Sequence, residues 1–237
     1  MHDILATLST STAADALRGH APQRLMMRGI RPVVPVAGAV AGRVRTLRYL
    51  PARADLTLPA LHARTRVLDA LAPGEILVVQ AIPGGMPVIG DLTGLRAHQA
   101  GAAAVITDGT VRDTADIRRL GLPLFAGGLS PALTDLPDIP WEYDTPIACG
   151  GVTVLPGDWL IADADGVLVV PPAFAPALAE AAPRLLAEEA FSKALLNQGH
   201  RIADAYPIPA RLRPAFEAWR QSGVLPAPEE VRGAAPG

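Results

Sequence analysis

Two short runs of this chain hold the residue types and spacings that could do chemistry. Residues 106–113 read ITDGTVRD, which puts a guanidinium, Arg112, directly beside a carboxylate, Asp113, shortly after an Asp108-Gly109 pair. Residues 90–93 read GDLT, at the point where an apolar, glycine-rich stretch gives way to a helical pattern. A guanidinium suits a carboxylate ligand because it donates two parallel hydrogen bonds. The backbone N–H groups of Gly90, Asp91, Leu92 and Thr93 would open a helix, and a helix start is an anion cradle. Oxygen ligands without a His or Cys cluster suit Mg²⁺ or Mn²⁺ rather than zinc. An amide nest, one arginine and two or three carboxylates facing one crevice would hold a small organic acid beside a hard cation.

Each of these residues also has a plainer reading. DTAD, from Asp113 to Asp116, fits a helix N-cap followed by an acid in the first turn, and that is as good an account of Asp113 as metal binding. Arg112 fits a surface ion pair with Asp116 equally well. Asp108-Gly109 fits a turn. Glu188 and Glu189 lie four residues from Arg184 and Lys193 respectively, and helical i,i+4 ion pairing is what their spacing favours. Cys149 reads as a small buried hydrophobe, and His98 as a solvent-facing helix residue.

The elements that must position these groups alternate. Helix is predicted for Thr12–Arg18, His62–Leu71, Thr93–Ala100 and Thr114–Leu120. Strand is predicted for Val40–Leu47, Glu75–Ala81, Ala103–Thr107 and Pro123–Ala126, with Ile82–Gly90 as a loop. That order argues for a parallel sheet in an α/β fold. It sends Asp108 and Arg112 to the carboxyl end of the sheet, the edge where open α/β sheets bind ligands. Val152–Leu155, Trp159–Asp163 and Val167–Val170 are short strands joined by tight turns, expected as an antiparallel meander. From Ala173 the pattern is helical through Asn197, with Pro183 expected to kink or restart it. One more helix is expected near Arg211 to Gln221.

Composition narrows the function classes. The chain has 237 residues, a formal net charge of −2, half its residues hydrophobic and 19% charged, so neither nucleic acid nor an anionic membrane is an expected partner. The single cysteine excludes an intrachain disulfide framework and fits a reducing cytoplasm. No signal peptide or membrane span is legible. There is no phosphate-cradling P-loop, no G-x-S-x-G elbow, and no pairing of the five histidines at metal-ligand spacing. Lys193 is the only lysine, which leaves little room for Schiff-base chemistry. A methyltransferase is a weaker reading still, because no glycine-rich cofactor loop follows the first strand.

The longer motifs resemble a known family. TAADAL, RPVVPVAGAVAGRVRTL, PGEILVVQ, GDLTGLRAHQAGAAAVITDGTVRD, GLPLFAGGLSP and CGGVTVLPGDWLIADADGVLVVP follow the order and spacing of the class II pyruvate aldolases. These are typified by 4-hydroxy-4-methyl-2-oxoglutarate aldolase and share a fold with the regulator of ribonuclease activity A. The resemblance covers nearly the whole chain, and AYPIPARLRPAFEAWR is similar to the extended C-terminus of some relatives. It implies a layered α/β/β/α sandwich of the RraA-like, swivelling-domain type, with the domain over 1–199 and a helical extension over 200–237. It implies that the amides of Gly90, Asp91, Leu92 and Thr93, with Arg112, hold a pyruvoyl group. Asp113 would bind Mg²⁺ or Mn²⁺ through water, and Asp91 would orient a proton-shuttling water. Glu189 or Glu188 of a neighbouring subunit would complete the site in a homotrimer or hexamer. The implied activity is cleavage of a 4-hydroxy-2-oxo acid to pyruvate and a carbonyl compound, with oxaloacetate decarboxylation on the side. The alternative is a non-catalytic regulator of a ribonuclease, a branch that lacks the aspartate present here at Asp113.

Overall fold

The computed structural model describes residues 1–20, 24–53, 55, 62–133 and 138–231. Its organising element is one long strand, Val40–Pro51. Along one edge it pairs in parallel with Glu75–Gln80, which pairs in parallel with Ala104–Thr107, and that strand with Leu124–Ala126. Arg31–Pro32 ends that side antiparallel. The opposite edge is shared by two antiparallel partners. Trp159–Ala162 lies along Val40 to Arg43, and Asp138–Tyr143 along Leu47 to Pro51 with a register shift at Arg48/Tyr49. Val167–Val170 extends the sheet from Trp159–Ala162. A strand that changes partner at an irregularity bends and twists there, so the sheet curls.

Both faces of the sheet are buried at its centre, which is why the middle of EILVVQ, Ile76 to Val79, reads as an unbroken apolar run. Leu77 and Val79 point to one face, with Leu47, Val105 and Leu124, under the helices Ala63–Ala70, Asp91–Gln99 and Thr114–Leu120. Ile76 and Val78 point to the other, with Val44, Ile106 and Phe125. That face is covered by the hairpin Ile147–Cys149/Val152–Val154. The result is helices on a sheet on a second β layer. The N-terminal helix Thr10–Ala16 is capped by Ser9 and tied to the body by Thr10, whose N–H and hydroxyl donate to Asp163 at 2.7 and 2.8 Å.

Three expectations change. Val152–Val154 pairs with Ile147–Cys149 and not with Trp159–Ala162, so the three-stranded meander is two separate pairings. The cause is the turn between them. Gly157 N–H donates to the Val44 carbonyl and Val44 N–H to the Asp158 carbonyl, both at 2.9 Å, while the Asp158 carboxylate accepts from Leu155 N–H. Those bonds carry the chain from one β layer into the other. The helix expected from Thr93 begins at Asp91, so Asp91 and Leu92 form its first turn. Finally, Ala175–Asn197 runs as one helix through Pro183. The proline removes a single N–H, and the Ala-, Leu- and Glu-rich turns around it are strong helix formers.

The chain packs as two compact units, Met1–Ala179 and Glu180–Gly237. This division falls inside the long helix Ala175–Asn197. The second unit has its own core of Phe191, Leu195, Leu212 and Phe216, with Phe191 edge-on to Phe216 at 5.5 Å. No helix among the described residues is long and apolar enough to cross a membrane.

Candidate active site

Beyond the carboxyl ends of the parallel strands, the loops are stitched into a second, smaller tier. Ile89 bridges Val111 in parallel, flanked by a bond from Val88 N–H to the Thr110 carbonyl and one from Arg112 N–H to the Ile89 carbonyl, each 3.0 Å. Thr110–Val111 then pairs in parallel with Gly128–Leu129. The tier depends on close backbone approach. A Cβ on Gly109 would lie 2.3 Å from the Ala81 Cβ, and one on Gly127 would lie 2.3 Å from the Asp108 carbonyl oxygen. Gly90, Arg112 and Ser130, the residues that follow the three bridging segments, are thereby delivered to one edge.

Gly90 caps the Asp91–Gln99 helix, and its N–H donates to Thr93 Oγ1 at 2.9 Å. Gly90's N–H is thus engaged within its own turn, and the amides of Asp91, Leu92 and Thr93 follow it along the first turn of the helix, Asp91's turned to Asp113. Asp91 N–H sits 3.4 Å from Asp113 Oδ2. The same oxygen accepts from Arg112 Nε at 2.9 Å, and Arg112 Nη1 donates to the Ala132 carbonyl at 3.1 Å. A Cβ on Gly90 would come within 2.9 Å of Asp113 Oδ2, so a glycine here makes room for that carboxylate.

Asp113 stands at the N-cap of Thr114–Leu120, but its side chain makes no cap hydrogen bond. Its backbone is left-handed, φ 54° and ψ 34°, a conformation that costs an ordinary side chain about 1–2 kcal/mol. That rotation turns the carboxylate away from the helix and toward Arg112 and the Asp91 amide. A strained residue that forgoes its local bond points to a functional constraint.

A cleft of about 240 Å³ is lined by Arg64, Gly90, Asp91, Leu92, Thr93, Arg112 and Asp113. A second, of about 300 Å³, is lined by Arg112, Asp113, Thr114, Ser130 and neighbouring apolar groups, so the Arg112–Asp113 pair borders both. Leu92, Leu129 and Leu133 are 75%, 63% and 68% exposed. The sequence reading did not pick out Arg64. The available signal was its place in the first turn of Ala63–Ala70, a helix with no acid at that end, where the macrodipole disfavours a cation.

Other candidates fall elsewhere. The Asp108 carboxylate accepts from Ala81 N–H at 2.9 Å and Gly150 N–H at 3.2 Å, fastening loop to layer; burial pushes its pKa up and those bonds partly offset this. Burial, reinforced by the Asp108 charge, pushes the Cys149 thiol up, so it is no nucleophile near neutrality. Arg112 does not pair with Asp116, which Arg119 takes. Glu188 and Glu189 belong to the second unit and make the expected helical pairs. Glu188 lies 3.8 Å from Arg184 and also pairs with Arg213, and Glu189 pairs with Lys193. No group of three His, Cys, Asp or Glu poised for a metal occurs among the described residues. The cleft's carboxylates, Asp91 and Asp113, still fit a magnesium-like ion, which keeps several waters and needs only one or two carboxylates.

Comparison with known proteins follows the same lines. A family model described as Aldolase/RraA matches residues 10–169. The chain is 30% identical over 166 residues to a putative 4-hydroxy-4-methyl-2-oxoglutarate aldolase of Halalkalibacterium halodurans, covering 70% of this chain and 73% of that one. It is 34% identical over 134 residues to 4-hydroxy-4-methyl-2-oxoglutarate aldolase of Thermus thermophilus, covering 55% and 75%. Among solved structures, RraAS2 of Streptomyces coelicolor, described as an unusual member of the RNase ES inhibitor RraA family, superposes with a TM-score of 0.74 at 33% identity. That superposition covers 81% of this chain and 96% of that one.

Proposed function

This chain belongs to the RraA-like Aldolase/RraA family, and from that premise we propose that it is a divalent-metal-dependent pyruvate aldolase cleaving a 4-hydroxy-2-oxo acid. The observation that carries the reading is Asp113, held left-handed with its carboxylate on Arg112 and the Asp91 amide and not on its own helix. Arg112 and the amides of Asp91, Leu92 and Thr93 grip the 2-oxo acid end. Mg²⁺ or Mn²⁺, held by Asp113 through water, would supply Lewis-acid polarisation of the 2-oxo group. A water oriented by Asp91 takes the proton of the 4-hydroxyl. The C3–C4 bond then breaks, its electron pair passing into a pyruvate enolate while the 4-hydroxyl carbon leaves as a carbonyl. Arg112 and the amides hold the enolate charge until C3 is reprotonated. Oxaloacetate reaches the same enolate by losing CO₂. Lys193, paired with Glu189, offers no Schiff-base alternative. A trimer or hexamer in which Glu189 or Glu188 of a neighbouring copy completes the site accords with the exposed apolar side chains of Leu92 and Leu129 on the cleft walls.

The test is pyruvate release from oxaloacetate with Mn²⁺ or Mg²⁺ and with chelator, for wild type and Asp113→Ala side by side. Metal-dependent release that disappears in the variant supports the aldolase. Release no faster than metal alone sinks it. The second reading, a binding protein that regulates a ribonuclease, draws support from the similarity to the Streptomyces coelicolor protein. It predicts ribonuclease inhibition that Asp113→Ala leaves intact.

A further inference from the structure

We propose that Arg64 is the residue that selects the substrate, by holding a second carboxylate at the end of the molecule remote from the pyruvoyl group. The inference rests on the aldolase reading for which end of the substrate Arg112 takes. Arg64 lines the same cleft as Gly90, Asp91, Arg112 and Asp113. The two guanidiniums there are not equivalent. Arg112 is already balanced by Asp113 at 2.9 Å. Arg64 is half-buried and has no carboxylate ion pair among the described residues. Its neighbour is the Tyr49 hydroxyl, which is buried without a hydrogen bond of good geometry. The Asp138 carboxylate acts on that same hydroxyl, but no carboxylate among the described residues comes within ion-pair distance of Arg64 itself, so its guanidinium keeps donors for a ligand.

Nor does Arg64 contribute to its helix. It stands in the first turn of Ala63–Ala70, which carries no acid there, at the end where the macrodipole repels a positive charge. A position that disfavours a cation, filled by one that lines a ligand cleft, is accounted for by an anionic ligand. The cleft, at about 240 Å³, is smaller than the usual range for drug-sized ligands, so that anion belongs to a compact acid. With one carboxylate on Arg112 and the amides, Arg64 takes the other, and the pair of guanidiniums favours a dicarboxylic 2-oxo acid over a neutral-ended one.

The experiment compares 2-oxoglutarate with 2-oxopentanoate, which has the same chain length but lacks the second carboxylate. Their binding to the full chain with Mg²⁺ is measured by titration calorimetry for wild type, Arg64→Gln and Arg112→Ala. A charge-assisted bond predicts that wild type prefers 2-oxoglutarate by about ten- to a hundredfold. Arg64→Gln should erase that preference with 2-oxopentanoate affinity unchanged, whereas Arg112→Ala should weaken both. Wild type showing no preference, neither acid binding, the preference surviving in Arg64→Gln, or an equal loss for both acids would each overturn the assignment. In turnover, KM for 4-hydroxy-4-methyl-2-oxoglutarate should rise in Arg64→Gln while kcat holds, with no change for 4-hydroxy-2-oxopentanoate. If neither compound yields pyruvate with wild type, the aldolase reading fails, while the binding preference is judged independently by calorimetry.

Discussion

Each unit of this molecule contains an aspartate held by arginine, and the two clusters differ in what they leave over. In the second unit, Asp204 is only 8% exposed and accepts from both Arg201 and Arg211 at 2.8 Å, with Arg211 also donating to the Val231 carbonyl. Two cations converge there on one buried carboxylate and tie the helical segments together. In the first unit, Asp113 is 28% exposed and bonds through one oxygen to a single arginine and a distant amide, beside a cleft. The Asp204 cluster closes on itself; the Asp113 pair keeps coordinating capacity at the cost of a left-handed backbone. Identical residue types thus form a closed cluster in one place and an open cleft edge in the other, and the difference is burial and valence.

The comparison breaks most visibly at Arg112. Arg112→Ala should slow pyruvate release by about 10²–10³-fold, the usual loss when one donor to a developing oxyanion is removed. Its melting temperature should barely move, because a partly exposed pair contributes little to stability. A large melting shift with retained turnover would make the pair structural. Asp204→Ala should do the reverse. Asp204 is buried but its arginines are 62% and 39% exposed and are left in water, so the loss is that of charge-assisted hydrogen bonds, about 2 kcal/mol, and chemical denaturation of the full chain followed by circular dichroism should show an earlier transition. An unchanged curve would place Asp204 in the same class as Asp113. The smallest effect sharpens the strain argument. Because only glycine is at ease in the left-handed region, Asp113→Gly should be more stable than Asp113→Ala by about 1 kcal/mol. Both should be inactive. Equal stabilities would mean that Asp113 carries no backbone strain.

Much of this was legible in the chain. The strand pattern of EILVVQ and the alternation of helix and strand gave the parallel sheet, and the helix Thr114–Leu120 falls where its capping pattern put it. The spacing of GDLT and VRD placed both loops at one sheet edge, because consecutive parallel strands end on the same side. The helical pairs Arg184–Glu188 and Glu189–Lys193 followed from i,i+4 spacing alone. Asp108, though, read as a turn or a cleft carboxylate and is a clamp on Ala81 and Gly150. That role depends on a segment far along the chain, and local pattern holds no record of it.

The sequence by itself determined the residue types, the order of elements and hence the edge where Arg112 and Asp113 emerge, since those follow from periodicity and chain direction. Only the tertiary structure decided which of several acids faces the cleft. Whether Asp113 caps a helix or turns toward Arg112 depends on one backbone rotation, permitted because Gly90 leaves room for its carboxylate. Whether Arg64 is a surface charge or a cleft wall depends on how its helix lies beside the 90–93 turn. Contacts between segments distant in the chain select among local alternatives of similar energy, and no short stretch of sequence encodes that selection.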